Sequence, residues 1–303
     1  MSQNIKDKIV NHLVAKYILV QSFEDVLVDQ NCATRSGKGT HAALNLFKKY
    51  YNIMKNKGRE FYVLKFDVSK YFYSIDHNIV KKIIRNRIRD KDAIDILNKI
   101  IDSTNLNYIN EEILRLKAKN NIISSIPLYE FDKGFPIGNM TSQIVACFYL
   151  NGLDHYIKEK LKIKYYVRYM DDGVIIHESK EYLKHVLYKI KCYLKDYKLI
   201  LNHKTKIYKS SEEIEFLGFR FSYRNRIIIK LKNVTKRRYK RKINKSYILY
   251  KNSKISKDKF ISIRNSYISH LKYGSCSRLS LLAENMSGNI EKENARQNLG
   301  SVN

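Results

Sequence analysis

Apolar positions recur with helical spacing over residues 4–20 and again near 41–56, where Ala43, Leu44, Leu46 and Phe47 share one face. Between them, residues 22–39 are loop-rich and end in Arg35-Ser36-Gly37-Lys38-Gly39, and Thr40 is placed to cap the second helix. The run EFYVLKFD over 60–67 reads as a strand, and helical spacing returns at about 77–89 and 91–103. Residues 104–132 show no clear period. A long helix is predicted over 141–160. It is followed by a hairpin in which YYVRYM and GVIIH are strands and Asp171-Asp172 the turn. A helix fits 180–197, short strands fit 205–209, 214–222 and 225–230, and basic helices fit 233–250 and 257–272. From about Met286 the chain is polar and is expected to fray. No internal repeat is visible, and the two prolines, Pro127 and Pro136, form no linker. This order predicts an α+β core followed by a helical appendage.

Charge narrows the partners. The 303 residues carry 58 Lys and Arg against 29 Asp and Glu, a net charge of +29. So large a positive field attracts polyanions, nucleic acid before an anionic membrane surface. The 24 Tyr and 12 Phe, many beside Lys or Arg, suit stacking on bases while phosphates are neutralised. Cys32, Cys147, Cys192 and Cys276 are widely spaced, without a zinc-ligand pattern, as expected of reduced cysteines. No apolar run reaches membrane-spanning length, and MSQNIKDKIV lacks the apolar core of a signal peptide. The expectation is a cytoplasmic protein with no membrane partner.

Three segments carry candidate chemistry. In Tyr169-Met170-Asp171-Asp172, two adjacent carboxylates sit at a hairpin tip, where their repulsion is relieved by a divalent cation. The same residues also suit an ordinary exposed turn. Asp67 closes an apolar strand and can point into a cleft beside that hairpin, or simply cap the following turn. Gly134-Phe135-Pro136-Ile137-Gly138 leads into a helix through Gln143. Its backbone amides can approach a nucleotide, or it can serve only as a helix start capped by Thr141 or Ser142. Phosphoryl transfer between nucleotides uses such carboxylates to hold two metal ions.

Taken in order, RSGKG, the strand-borne Asp67, the glycine-rich turn with Ser142-Gln143, YMDD, HKTKI and FLGF resemble a reverse transcriptase over roughly residues 25–225. The resemblance implies a right-hand polymerase fold with a small antiparallel palm sheet and a helical thumb. Residues 1–66 would be the N-terminal segment and fingers. Residues 67–225 would be palm, with an interleaved fingers segment at about 77–135. Residues 226–303 would be a basic thumb and polar tail.

Asp67 and Asp171 would share two Mg2+ ions, for which Mn2+ can substitute. Val68 would add its carbonyl, and Asp172 the third carboxylate. Lys204, with Lys206 as the nearby alternative, would protonate the leaving pyrophosphate. Arg35 and Lys38 would hold the triphosphate, and Phe72 would be a steric gate against a ribose 2′-hydroxyl. Ile137, Gly138 and Gln143 would adjoin the nucleotide. Phe216, Leu217 and Gly218 would form the primer grip.

PIGNMTSQ, RSGKGTHAAL, KYFYSIDH and SHLKYG are similar to the subgroup from diversity-generating retroelements. Those enzymes copy a template-repeat RNA into cDNA for mutagenic retrohoming, misincorporate opposite template adenines and usually work with a basic accessory variability protein. The implied partners are template RNA, an RNA/DNA duplex, dNTPs and that protein. Other bacterial reverse transcriptases (phage-defence, retron or group II intron type) and a non-catalytic RNA-binding scaffold are the alternatives.

Overall fold

The computed structural model describes residues 4–119, 127–223, 227–274, 280, 281 and 283. The expected polar tail, Cys276 and the start of the strand predicted at 225–230 lie outside the described residues. The chain divides into two units, Met1–Lys209 and Ser210–Asn303.

In the first unit, Asn4 caps α1 (Ile5–Leu13) by accepting from the Lys6 N–H. The predicted single helix is not uniform: Val14–Leu19 is π-helical before α2 (Val20–Phe23). The wider turn swings the buried stripe, so Val14, Ala15, Leu19 and Phe23 face the core. Phe23 then stacks on Phe148 at 3.9 Å. In α3 (Thr40–Asn56) the cap is Gly39, not Thr40 as expected. The Ala43 N–H already bonds the Gly39 carbonyl at 3.1 Å, so Thr40 is the first helical residue.

β1 (Tyr62–Phe66) lies inside a four-stranded antiparallel sheet with β2 (Tyr165–Tyr169), β3 (Asp172–His177) and β4 (Lys206–Lys209), ordered β2-β3-β1-β4. Alternation sorts its side chains. Leu64 and Phe66, with Tyr166 and Ile175, join the core that includes Leu183, Val186, Ile190 and Leu194 of α10 (Lys180–Asp196). On the α3 side, Tyr51 packs edge-on against Phe61 at 4.9 Å, and Tyr50 meets Tyr165 at 5.3 Å. Covered on both sides, β2 and β3 read as almost continuous apolar runs.

Helices α4 (Tyr71–Ser74), α5 (His77–Arg85), α6 (Lys91–Asp102) and α7 (Asn107–Lys119) follow β1. Asp76 and Asp90 cap α5 and α6 by accepting from the Ile79 and Ala93 N–H groups. α7 fills part of the stretch that showed no period. The predicted helix 141–160 is broken into α8 (Met140–Tyr149), α9 (Asn151–His155) and a π-helical Tyr156–Lys160, because Leu150 leaves helical geometry at φ −93°, ψ 6°.

The second unit holds an antiparallel sheet of β5 (Ile214–Phe216), β6 (Phe219–Tyr223) and β7 (Ile227–Leu231). The single strand expected over 214–222 turns back on itself at Leu217-Gly218. α11 (Asn233–Lys251) and α12 (Lys257–Tyr273) pack through Tyr239 on Tyr267 at 4.7 Å and Phe260 against Tyr247 and Tyr250. Both small sheets are antiparallel and mixed with helices, the α+β class expected. Among the described residues no helix is long and apolar enough to cross a membrane.

Candidate active site

β1 ends at Phe66, which pairs with Gly173 of β3. The next residue, Asp67, therefore lies level with the tip of the β2–β3 hairpin. Its backbone is held on the other side by residues 200–205. The Asp67 carbonyl accepts from the Asn202 N–H at 2.7 Å, the Ser69 N–H donates to the Ile200 carbonyl at 2.8 Å, and Val68, itself buried, bridges to Leu201. The tip is a tight turn in which Met170 takes φ 55°.

This placement sets the Asp67 and Asp171 carboxylates close enough for each to act on the other's charge. Burial first, then the charges of Asp67 and Asp172, push the Asp171 carboxyl up to about 7. Asp172 is part of that field, but its Oδ1 lies 3.4 Å from Lys65 Nζ. The structure thus places Asp67 and Asp171 near one another at the tip and holds Asp172 beside a lysine. A half-buried pair of hard oxygen donors that resists double ionisation fits a divalent cation, whose charge favours both carboxylates in their ionised forms.

Sequence reasoning missed what holds the tip. Arg168, fully buried in β2, donates Nε–H to Asp154 Oδ1 at 2.7 Å and an Nη2–H to Oδ2 at 2.5 Å. Its other nitrogen bonds reach the Met170 carbonyl at 2.7 Å and the Cys147 carbonyl at 3.0 Å. Tyr166 also donates to Asp154, at 2.7 Å. Burial opposes the guanidinium's charge, but Asp154 outweighs it and keeps Arg168 protonated well above its usual range. The signal was legible: a lone Arg in an otherwise apolar, two-sided strand requires a buried acidic partner.

Gly173 was another missed position. A Cβ there would fall on the buried Phe66 ring, so the pairing of these two strands next to Asp67 and Asp172 needs glycine. Gly173→Ala is expected to cost about 1–3 kcal/mol through overpacking, read from urea unfolding; unchanged stability would contradict the close approach.

The other predicted residues are spread more widely. Phe72 is half-buried, packs against the core and meets Tyr71 at 5.8 Å; its carbonyl accepts from the Phe135 N–H at 2.7 Å. Gly134, at φ 84°, passes so close to the Tyr129 ring that a side chain would not fit. Beyond it, Ile137 is 58% exposed, Gly138 takes φ 105°, and Gln143 is half-buried in the first turn of α8. The cap of α8 is Asn139, without a side-chain bond, while Thr141 instead donates to Asn11 Oδ1 at 2.6 Å. Arg35 is turned into its own loop, bonding Glu24 Oε1 at 2.7 Å and the Val28 carbonyl at 2.8 Å. Lys38 bonds the Asp29 carbonyl at 2.9 Å.

Lys204 is exposed in the turn before β4, and Lys206 lies over the Tyr208 ring at 4.8 Å. In the second unit Phe216 is buried and pairs with Phe219, and Leu217 and Gly218 at φ 47° and 83° make the two-residue hairpin turn.

Carboxylates brought near one another at the end of a small antiparallel sheet are an arrangement that metal-assisted phosphoryl transfer can use. The chain belongs to the reverse transcriptase (RNA-dependent DNA polymerase) family, whose model matches residues 2–221. A protein of Saccharomyces cerevisiae (strain ATCC 204508 / S288c), the putative COX1/OXI3 intron 2 protein, is 28% identical over 197 residues, 52% of this chain and 23% of its own length. Among solved structures, the apo telomerase of Candida tropicalis truncated from its C-terminal domain aligns at TM-score 0.47 and 18% identity, over 74% of this chain and 44% of that one. The Candida albicans telomerase in complex with a TWJ fragment of telomeric RNA aligns at TM-score 0.46 and 14% identity, over 89% and 46%. The chain therefore spans under a quarter of the yeast relative and under half of each telomerase chain.

Proposed function

We propose that this chain is an RNA-directed DNA polymerase whose reaction centre is Asp67, Asp171 and Asp172. The observation that carries the reading is the strand register that sets Asp67, at the end of β1, level with the Asp171-Asp172 hairpin tip, close enough for their charges to interact, in a chain of this family. The reaction is attack of a primer 3′-hydroxyl on the α-phosphate of a dNTP, with pyrophosphate leaving. Two Mg2+ ions, or Mn2+, bound by the three carboxylates and the Val68 carbonyl, would lower the pKa of the attacking hydroxyl and stabilise the leaving oxygen. Lys204 supplies the leaving group's proton. Phe72 excludes a ribose 2′-hydroxyl, and Arg35 and Lys38 reach the triphosphate once released from Glu24 and Asp29.

In the same reading, Phe216–Gly218 support the primer end, and the basic face of α11 follows the template–primer backbone. Residues 1–66 are fingers, 67–225 palm with an inserted fingers segment, and 226–303 thumb. Extension of a DNA primer on an RNA template with Mg2+ tests the reading. No product with either Mg2+ or Mn2+, with or without an accessory protein, would favour an RNA-binding scaffold.

The finer reading is a reverse transcriptase of a diversity-generating retroelement, working in the cytoplasm on a template-repeat RNA with a basic accessory protein. It is supported by Ile137 before Gly138, where a glutamine could hydrogen-bond near the incoming nucleotide, and by the exposure of that side chain. Ile137→Gln is expected to lower misincorporation opposite template adenine by roughly tenfold, about the effect of one polar contact worth 1–1.5 kcal/mol. Sequencing of cDNA made by both enzymes reads it, and an unchanged adenine error rate would remove Ile137 from the explanation. The likeness to the yeast intron protein favours a second reading, an intron-type enzyme. An adenine-substituted repeat pair in the flanking DNA would select the first, and flanking intron RNA the second.

A further inference from the structure

His77 opens α5 with its ring fully buried. Nε2 lies 2.8 Å from the Gly134 carbonyl oxygen. A carbonyl only accepts, so Nε2 carries the proton and, in the neutral ring, Nδ1 presents its lone pair. That lone pair faces two carboxylates, with Asp102 Oδ1 at 3.3 Å and Asp132 Oδ1 at 3.9 Å. Nδ1 nevertheless has no hydrogen-bond partner among the described residues. Asp102 Oδ1, within bonding distance, lies off the direction in which an N–H would donate, and Asp132 Oδ1 stands beyond that distance.

That offset is what a shared ion requires. Two ligand atoms each about 2.1 Å from a tetrahedral ion stand about 3.4 Å apart, and neither lies on the other's lone-pair axis. The ligand atoms of His77, Asp102 and Asp132 all lie within 4.8 Å of one another. Both carboxylates are steadied by further groups, as ligands of a bound metal are. Lys81 Nζ donates to Asp102 Oδ1 and Oδ2 at 2.6 and 2.7 Å. Asn105 Nδ2 donates to Asp132 Oδ1 at 2.8 Å, and the Asp132 N–H returns a bond to Asn105 Oδ1 at 2.9 Å. The carboxylates are 39% and 41% exposed, which leaves an entry path from solvent.

We propose that His77 Nδ1, Asp102 and Asp132 bind one divalent transition ion of the zinc class, separate from the Asp67–Asp171 centre. One neutral imidazole and two carboxylates balance its charge, and imidazole favours zinc over magnesium. In the bound form Asp102 turns Oδ1 to the ion and keeps Oδ2 for Lys81. The ion ties α5 and the end of α6 to the segment that runs from Asp132 into Gly134–Gly138.

The test uses the full chain carrying Asp67→Asn and Asp171→Asn, which silences the other acidic pair, and reads binding and melting, not activity. Zn2+ is titrated in competition with a chromophoric chelator, and Co2+ is followed by its visible absorption. The expected result is one Zn2+ per chain, a melting temperature raised by Zn2+ but not by Mg2+, and affinity at least about tenfold weaker in both Asp132→Asn and Asp102→Asn. Asp132→Asn is the decisive variant, because it keeps the His77 bond to Gly134 where loss of His77 itself could unfold the protein. Failure to bind zinc, or affinity unchanged from the parent in either asparagine variant, overturns the proposal. A His77 ring that NMR finds doubly protonated in the presence of Zn2+ does the same.

Discussion

Asp171→Asn and Asp67→Asn, made singly, are expected to lower nucleotide addition by roughly a thousandfold or more, about 4 kcal/mol of transition-state stabilisation. Each removes one member of the carboxylate pair set near one another at the hairpin tip. Single-turnover primer extension reads the effect, with circular dichroism and RNA binding expected to stay near the parent's. A variant that extended primers at the parental rate would remove that carboxylate from the reaction.

The same substitution has an opposite effect on the metal-free protein. The Asp171 carboxyl is pushed up to about 7 in the folded state, from 3.8. Between those values the folded protein binds more protons than the unfolded chain, so stability falls as pH rises from about 4 to about 7. In chelator, Asp171→Asn escapes that loss and is expected to be more stable than the parent at pH 8, on the order of 2–3 kcal/mol. Urea melts at pH 5 and pH 8 measure it. An equal difference at both values would show that the pair carries no such strain. Excess Mg2+ should restore part of the parent's stability at pH 8, because a bound cation stabilises the ionised pair.

The second large effect concerns the pair beneath the tip. Arg168→Met leaves Asp154 charged in a fully buried site with Tyr166 as its remaining side-chain partner among the described residues, and also removes the Arg168 bonds to the Met170 and Cys147 carbonyls. The expected cost is about 3–5 kcal/mol, seen in thermal and urea unfolding. Arg168→Lys should not rescue it, because an ammonium cannot make the two-pronged bond to Asp154 and still reach two carbonyls. Combining Arg168→Met with Asp154→Leu should recover part of the stability, since no unpaired charge remains. Even then nucleotide addition should stay reduced, because the Met170 carbonyl, one residue before Asp171, has lost its anchor. Parental stability in Arg168→Lys would show that the fork is dispensable.

Periodicity alone placed most elements here. The apolar run YVLKF and the apolar runs around Asp171-Asp172 were enough for β1 and the β2–β3 hairpin, and helical spacing for α3, α10, α11 and α12. It did not show the π-helical Val14–Leu19, the break at Leu150 or the turn at Leu217-Gly218. Each depends on contacts far along the chain or on a local backbone geometry that apolar spacing does not encode. The role of Gly173 is similar: Asp-Asp-Gly reads as ordinary turn chemistry until the Phe66 ring is seen to lie against it.

The residue types and their order along the chain determined the class of chemistry, because acidic residues at strand ends and a large positive charge are properties of the sequence itself. Which carboxylates come near one another was decided by tertiary structure. Antiparallel register sets Phe66 opposite Gly173, so residues about a hundred positions apart meet, and Lys65 of the neighbouring strand stands 3.4 Å from Asp172. The identity of Arg168's partner, Asp154, and the His77 cluster were likewise invisible in one dimension. Their energetics come from the removal of water around charges brought together from distant segments, and only the folded chain removes it.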